Sequence, residues 1–277
     1  MSLRSLFRRR PKVRFAEFGH QLSQFDLPKD GRVQYAQWLH PRNPHQVITQ
    51  QQVDALRQFI KPGDFVIDIG AYCGDTGVPM ALAAGAKGCT LALEPNRYVF
   101  KVLEANAALN RDKTNIVPRN CAATEADGEF VFHYSDAGFC NGGFKSQQRW
   151  RLYKRRYPLT VRGQNLLNIL RNDFAKWLPK LSYVKVDAEG YDRAVLASIL
   201  PVLREHKPVI RSEVFRKLVA KERYALYELL ADIGYNVHRY TENGELVGEK
   251  LECRDMTRHK HFDILALPDT KAAKQAA

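Results

Sequence analysis

Short apolar runs that stop at a carboxylate recur along this chain. Phe65-Val66-Ile67-Asp68-Ile69, Cys89 to Leu93 before Glu94, Ser182 to Val186 before Asp187, and Pro208 to Ser212 before Glu213 have the length and apolarity of strands buried in a parallel sheet. Between them apolar positions fall three or four apart. Gly77 to Gly85, Arg97 to Asn110, Arg193 to Leu203 and Ala220 to Ile233 therefore read as helices, and Pro79 fits because it falls in a first turn. Asn115 to Pro118 reads as a third core strand, and Gly128 to Tyr134, alternating Phe130, Phe132 and Tyr134, as an additional one. Leu159 to Arg162 and Asn165 to Leu170 predict a short strand and a short helix.

Two strands close the pattern, Tyr235 to Tyr240 and Phe262 to Leu267. No helical stretch follows the last, which predicts antiparallel pairing with its predecessor. The fold class expected is α/β: a doubly wound, Rossmann-like sheet of the class I methyltransferase kind, mostly parallel with an antiparallel C-terminal strand. Residues 1 to 50 carry Pro11, Pro28, Pro41 and Pro44 with little periodicity. They read as a basic N-terminal extension, an arm anchored by Tyr35 and Trp38. Thr49 to Ile60 is an amphipathic helix, 51–268 the catalytic domain and 269–277 a C-terminal tail.

In open α/β sheets ligands bind beyond the carboxyl ends of the strands near the switch point. The first core strand delivers Asp68-Ile69-Gly70-Ala71-Tyr72-Cys73-Gly74-Asp75-Thr76 there. Gly70 and Gly74 permit a tight turn and a close approach of backbone to ligand. A pyrophosphate-binding G-x-G-x-x-G is absent, because Gly74 and Gly77 follow Gly70. Glu94 ends the second strand, with Pro95 and Asn96 after it, where a carboxylate can accept both ribose hydroxyls of an adenosine; the other reading is a cap for the helix beginning near Asn96. Asp68, Asp75 and Glu94 suit a sulfonium cofactor, S-adenosyl-L-methionine, better than a pyrophosphate, with Asp68 orienting loop amides.

These runs, followed by Val184-Lys185-Val186-Asp187-Ala188-Glu189-Gly190, resemble the FkbM-like methyltransferases in motif, order and spacing from about Val53 to Pro268. The first two motifs mark adenosylmethionine-dependent methyltransferases in general, whereas Lys-x-Asp-x-Glu-Gly after the fourth strand is more specific to this family. The resemblance implies O-methylation of sugars or other hydroxylated metabolites, with the cofactor held by the loop and by Glu94. Tyr72 and Cys73 stand where the familiar pattern more often has Asn and a small or aliphatic residue.

Methyl transfer to a hydroxyl is an in-line displacement that benefits from a base. Asp187 and Glu189 are the catalytic candidates; the alternatives are that Asp187 orders its loop, that Glu189 caps the next helix, or that both join Glu213 around magnesium. His133 and His238 are placed within reach of the cleft, and His20, His40, His45, His206, His259 and His261 in surface-like contexts. The Gly-rich loop Asp136 to Phe144 and the aromatic, basic stretch to Arg162, with Trp150, Tyr153 and Tyr157, read as an acceptor-shaping insertion or as an amphipathic surface helix.

The formal charge of +13 adds one feature. It concentrates at 4–14 (Arg4, Arg8, Arg9, Arg10, Lys12, Arg14) and 149–162 (Arg149, Arg151, Lys154, Arg155, Arg156, Arg162), a solvated face or a surface for an acidic partner. Five cysteines without a C-x-x-C pair fit reduced thiols in the cytoplasm rather than a zinc or redox site. No apolar stretch is long enough to span a membrane, leaving a soluble or peripheral protein. A glycan or small-molecule O-methyltransferase is thus expected, ahead of an RNA methyltransferase and of a non-catalytic binding protein. Sequence gives no acceptor and no oligomeric state.

Overall fold

The computed structural model describes residues 14–140, 142–144, 157–241 and 244–269. In chain order the elements are β1 (His20–Leu27), β2 (Gly31–Trp38), α1 (Gln50–Leu56), β3 (Phe65–Ile69), α2 (Gly77–Ala84), β4 (Cys89–Leu93), α3 (Arg97–Ala108) and β5 (Ile116–Arg119). There follow β6 (Ala122–Thr124), β7 (Gly128–Tyr134), β8 (Gly142–Phe144), β9 (Tyr157–Asn165), α4 (Leu166–Asp173), β10 (Leu181–Val186), α5 (Asp192–Ser198) and α6 (Leu200–His206). The chain then forms β11 (Val209–Val214), α7 (Ala220–Asp232), β12 (Tyr235–Tyr240), β13 (Val247–Lys250) and β14 (Phe262–Pro268).

Eight strands make the central sheet in the order β13-β12-β14-β11-β10-β3-β4-β5. The five from β11 to β5 are parallel, and β14 lies antiparallel between β11 and β12. From β3 the chain winds outward through β4 and β5, then returns to the other side of β3 at β10. The switch point is therefore between β3 and β10, and a doubly wound sheet opens its ligand crevice at such a point. Every residue of β3 and β4 is buried, as central parallel strands require.

Each face of the sheet carries its own core. Ile67, Ile69, Leu91, Val184 and Val186 pack with α4 to α7, while Val66, Ala92, Tyr183 and Leu265 pack with α1, α2 and α3. Local chemistry sets helix starts: Thr49 and Gln52 form a reciprocal capping box at α1, and the Asn96 and Asn165 side chains accept from Tyr98 and Asn168 to open α3 and α4.

Four features differ from the sequence expectation. The N-terminal arm contains an antiparallel hairpin, β1 with β2, in which Tyr35 and Trp38 are buried. Its β2 edge is completed by side chains, since Asn106 of α3 exchanges two hydrogen bonds with Ala36 and Asn110 two with Gln34. The segment from Arg193 to Leu203 is broken at Ile199, because Pro201 in the first turn of α6 cannot continue a helix. The excursion after β5 forms a separate four-stranded sheet, β6-β9-β7-β8. Finally, β13 adds an outer strand to the main sheet, paired with β12.

Candidate active site

A cavity of about 790 Å3 opens along the carboxyl ends of the strands, within the range of small-molecule sites. Of the residues singled out from sequence, Gly70, Tyr72, Asp75, Thr76, Glu94, Pro95, Asn96, Asp187 and Glu189 lie on its wall. Asp68, Ala71 and Gly74 stand behind it.

The β3-α2 turn is held from both neighbouring strands, β4 and β10. Gly70 and Ala71 donate backbone hydrogen bonds to Leu93 O, and the Lys185 ammonium donates to Gly70 O at 2.9 Å. Gly70 has φ +75°, and a Cβ there would stand 2.1 Å from the Asp187 carbonyl oxygen. Left-handed strain of about 1–3 kcal/mol and the clash add up, so Gly70→Ala is expected to lower Tm by roughly 5–10 °C. Thermal unfolding checks this; an unchanged Tm would mean that the crossing of the β3 and β10 loops relaxes freely.

Asp68 is 0% exposed and does not reach the cavity. It accepts from Thr76 Oγ1 at 2.8 Å and pairs with Lys185 Nζ at 3.2 Å, which fixes the loop to its neighbouring strand. Burial alone would lower the Lys185 pKa, but Asp68, Asp187 and Asp75 outweigh it and hold the ammonium above its ordinary value. Burial raises the Asp75 carboxyl against the opposing pull of Lys185.

Glu94 is 6% exposed, and its two oxygens accept from Tyr72 N at 2.9 Å and Asn96 N at 2.7 Å. Its remaining lone pairs are available to a ligand on the wall it helps to form. Burial pushes its pKa up to about 7 despite those two amides. The helix cap is Asn96, not Glu94: Asn96 Oδ1 accepts from Tyr98 N, and its Nδ2 donates to Phe139 O.

Asp187 is 47% exposed, with Lys185 Nζ 3.7 Å from its carboxylate and its backbone N–H donated to Ile69 O. Glu189 follows in left-handed backbone, φ 53°. The loop is ordered by Asp192, 1% exposed, which accepts from Gly190 N, Ala188 N, Glu213 N and Ser212 Oγ. Sequence reading passed over Asp192; its signal was an acid at the first position of the following helix. Glu213 is buried off the cavity wall, its pKa raised to about 10 by burial and then by Asp187, Asp192, Glu189 and Asp263. Among the described residues no three His, Cys, Asp or Glu side chains are grouped so as to hold a metal ion.

Neither His133 nor His238 lines the cavity. His40, expected at the surface, is instead 2% exposed, because Asp136 of the Gly-rich loop meets its Nε2 at 3.1 Å while Arg42 caps the same carboxylate. Tyr72 OH lies 3.1 Å from Cys140 Sγ, and Tyr35 OH 3.1 Å from Cys73 Sγ, so the two atypical loop residues meet partners in the insertion and the hairpin. Phe130, Phe132 and Tyr134 of β7 also line the cavity. The basic residues of 4–12 and 149–156, with Trp150 and Tyr153, lie outside the described residues; Arg14 and Arg162 are described and exposed. Among the described residues no helix is long and apolar enough to cross a membrane.

A doubly wound sheet closed by an antiparallel strand, with a glycine turn and a strand-end acid at its switch point, defines the class I, Rossmann-like methyltransferase fold. The chain belongs to the FkbM methyltransferase domain family, whose model matches residues 68–237. It is similar to many solved structures, three of which follow. Methyltransferase FkbM from Methylobacillus flagellatus KT is 12% identical with a TM-score of 0.45, over 77% of this chain and 50% of that one. A putative rRNA-methylase from Clostridium thermocellum is 12% identical with a TM-score of 0.44, over 79% and 94%. A SAM-dependent O-methyltransferase from Thermotoga maritima is 12% identical with a TM-score of 0.41, over 91% and 78%. The chain thus spans about half the length of the first. No curated protein matches its sequence.

Proposed function

We propose that the chain transfers a methyl group from S-adenosyl-L-methionine to a hydroxyl of a sugar, glycan or related small metabolite. The observation that carries this is the opposition, across one cavity, of a buried acid held by loop amides, Glu94, and a half-exposed carboxylate one strand beyond the switch point, Asp187. The residues fit the cofactor: Gly70 puts backbone on the cavity wall, Glu94 has lone pairs left for ribose hydroxyls, and Asp75 lines the wall near the turn, where a cationic headgroup is favoured over a phosphate. The cofactor, when bound, supplies an electrophilic methyl carbon. Glu94 would anchor the ribose, the 70–76 turn would orient the headgroup, and Asp187 would take the proton of the acceptor hydroxyl, whose oxygen receives the methyl that sulfur gives up. Glu189, on the same loop, lies beside the acceptor. Positioning supplies much of the acceleration in such a displacement.

Calorimetry with S-adenosylmethionine and S-adenosylhomocysteine tests the reading directly, and no binding of either at millimolar concentration would sink it. Glu94→Ala removes two charge-assisted hydrogen bonds to ribose and should weaken binding about 10- to 100-fold. An ionised Glu94 is the better acceptor, so affinity should fall as pH drops below about 7, and Glu94→Gln should flatten that profile. The stability effect runs the other way. Because burial favours the neutral carboxyl, this group's contribution to the ligand-free fold is complete below pH 4.5 and is lost as pH rises through 7.

A further inference from the structure

The cavity is wider than one nucleoside cofactor needs. Its wall runs from Glu94, after β4, to Tyr240 of β12, five strand spacings or roughly 24 Å across the sheet. Tyr183, Lys185 and Asp187 share one face of β10 and its extension at every second position, and the parallel register sets Arg211 beside Lys185. All four line the cavity, with Tyr240 opposite Arg211.

We infer that Tyr183, Lys185, Arg211 and Tyr240 form the acceptor subsite, that the Tyr183 hydroxyl is its specificity-determining group, and that it selects an uncharged polyol over a phosphorylated one. This rests on the methyl-transfer reading above. Tyr183 is 1% exposed, yet its hydroxyl has no hydrogen-bond partner while the residue faces the cavity. Buried polar groups are nearly always satisfied, and a phenol on a cavity wall is satisfied by an oxygen the ligand brings.

Charge argues for a neutral ligand. Lys185 stands 3.2 Å from Asp68 and 3.7 Å from Asp187. Arg211 reaches Asp263 through Nε at 2.8 Å and Nη2 at 2.7 Å, donates to Tyr240 OH at 3.2 Å, and lies 4.0 Å over the Tyr240 ring. Arg42 is matched to Asp136 at 3.1 Å. Each cation lining the cavity among the described residues already faces a carboxylate. A phosphate would have to displace one and would then sit near Asp75 and Asp187. A hydroxyl needs only the phenol.

The test uses the full chain loaded with S-adenosylhomocysteine, whose own binding is measured first, so that a failure there strikes the cofactor reading instead. Saturation-transfer NMR is then run with methyl α-glucopyranoside, methyl α-mannopyranoside and methyl α-rhamnopyranoside against glucose 1-phosphate and glucose 6-phosphate. At least one neutral glycoside should bind, and neither phosphate should bind more tightly than it. Tyr183→Phe should weaken that glycoside about tenfold, leave S-adenosylhomocysteine affinity unchanged and keep Tm at or above the parent value, since it deletes a hydroxyl that bonds nothing in the ligand-free fold. A lower Tm would assign that hydroxyl a structural role. Tighter binding of a phosphate, no binding of any neutral glycoside to the loaded protein, or unchanged glycoside affinity in the variant would each overturn the inference.

Discussion

Replacing Lys185 with methionine is expected to destabilise the fold by about 3–5 kcal/mol, the usual cost of leaving one partner of a buried ion pair alone. The partner left behind is Asp68, fully buried and without access to water. Gly70 O loses a donor in the same step, so the turn that carries the cofactor residues loosens. Domains are stable by only about 5–15 kcal/mol, and this single change takes a large share. Urea unfolding of Lys185→Met and of the double variant with Asp68→Asn checks it. The second change should restore part of the loss, because it removes the stranded charge; a loss under about 1 kcal/mol in the single variant would mean that water reaches Asp68.

Asp187→Asn should reduce methyl transfer about 100- to 10,000-fold, the range a positioned base contributes. Cofactor affinity should hold within about twofold, since the backbone contacts of Asp187, its N–H to Ile69 O and its carbonyl against Gly70, are kept, and Lys185, 3.7 Å from the altered side chain, retains Asp68 at 3.2 Å. Labelled-methyl transfer to an accepted glycoside gives the rate. Parent turnover in a variant that binds cofactor normally would remove Asp187 from the base's role and leave Glu189 as the remaining candidate on that loop.

The main sheet was legible because each strand near its centre writes a continuous apolar run and stops on a residue that water or a ligand must meet. Glu94 and Asp187 follow from that grammar, and both stand on the cavity wall. The hairpin was not legible. Half of β1 and β2 is exposed, and the β2 edge is satisfied by Asn106 and Asn110, some seventy residues downstream, which no local pattern announces. His40 failed for the same reason, since its partner lies ninety-six positions away. Tyr72 and Cys73 looked out of place only when the loop was read alone; Cys140 and Tyr35 are the contacts that make them fit. Lys185 was plain as a motif letter, but its work at Asp68 depends on strand register, which the one-dimensional pattern does not contain.

All eight residues of α2 are buried, packed on the sheet and in one core with Tyr35, Val53 and Leu56 from the preceding hairpin and α1. An isolated two-stranded hairpin is marginal in water, and this one meets α2 only after the ribosome has added some forty further residues, and the asparagines of α3 only after some seventy. The hairpin therefore leaves the ribosome well before the elements it packs on. A nascent chain halted before residue 110 should leave the hairpin open to protease, and one halted beyond the return of β10 should not.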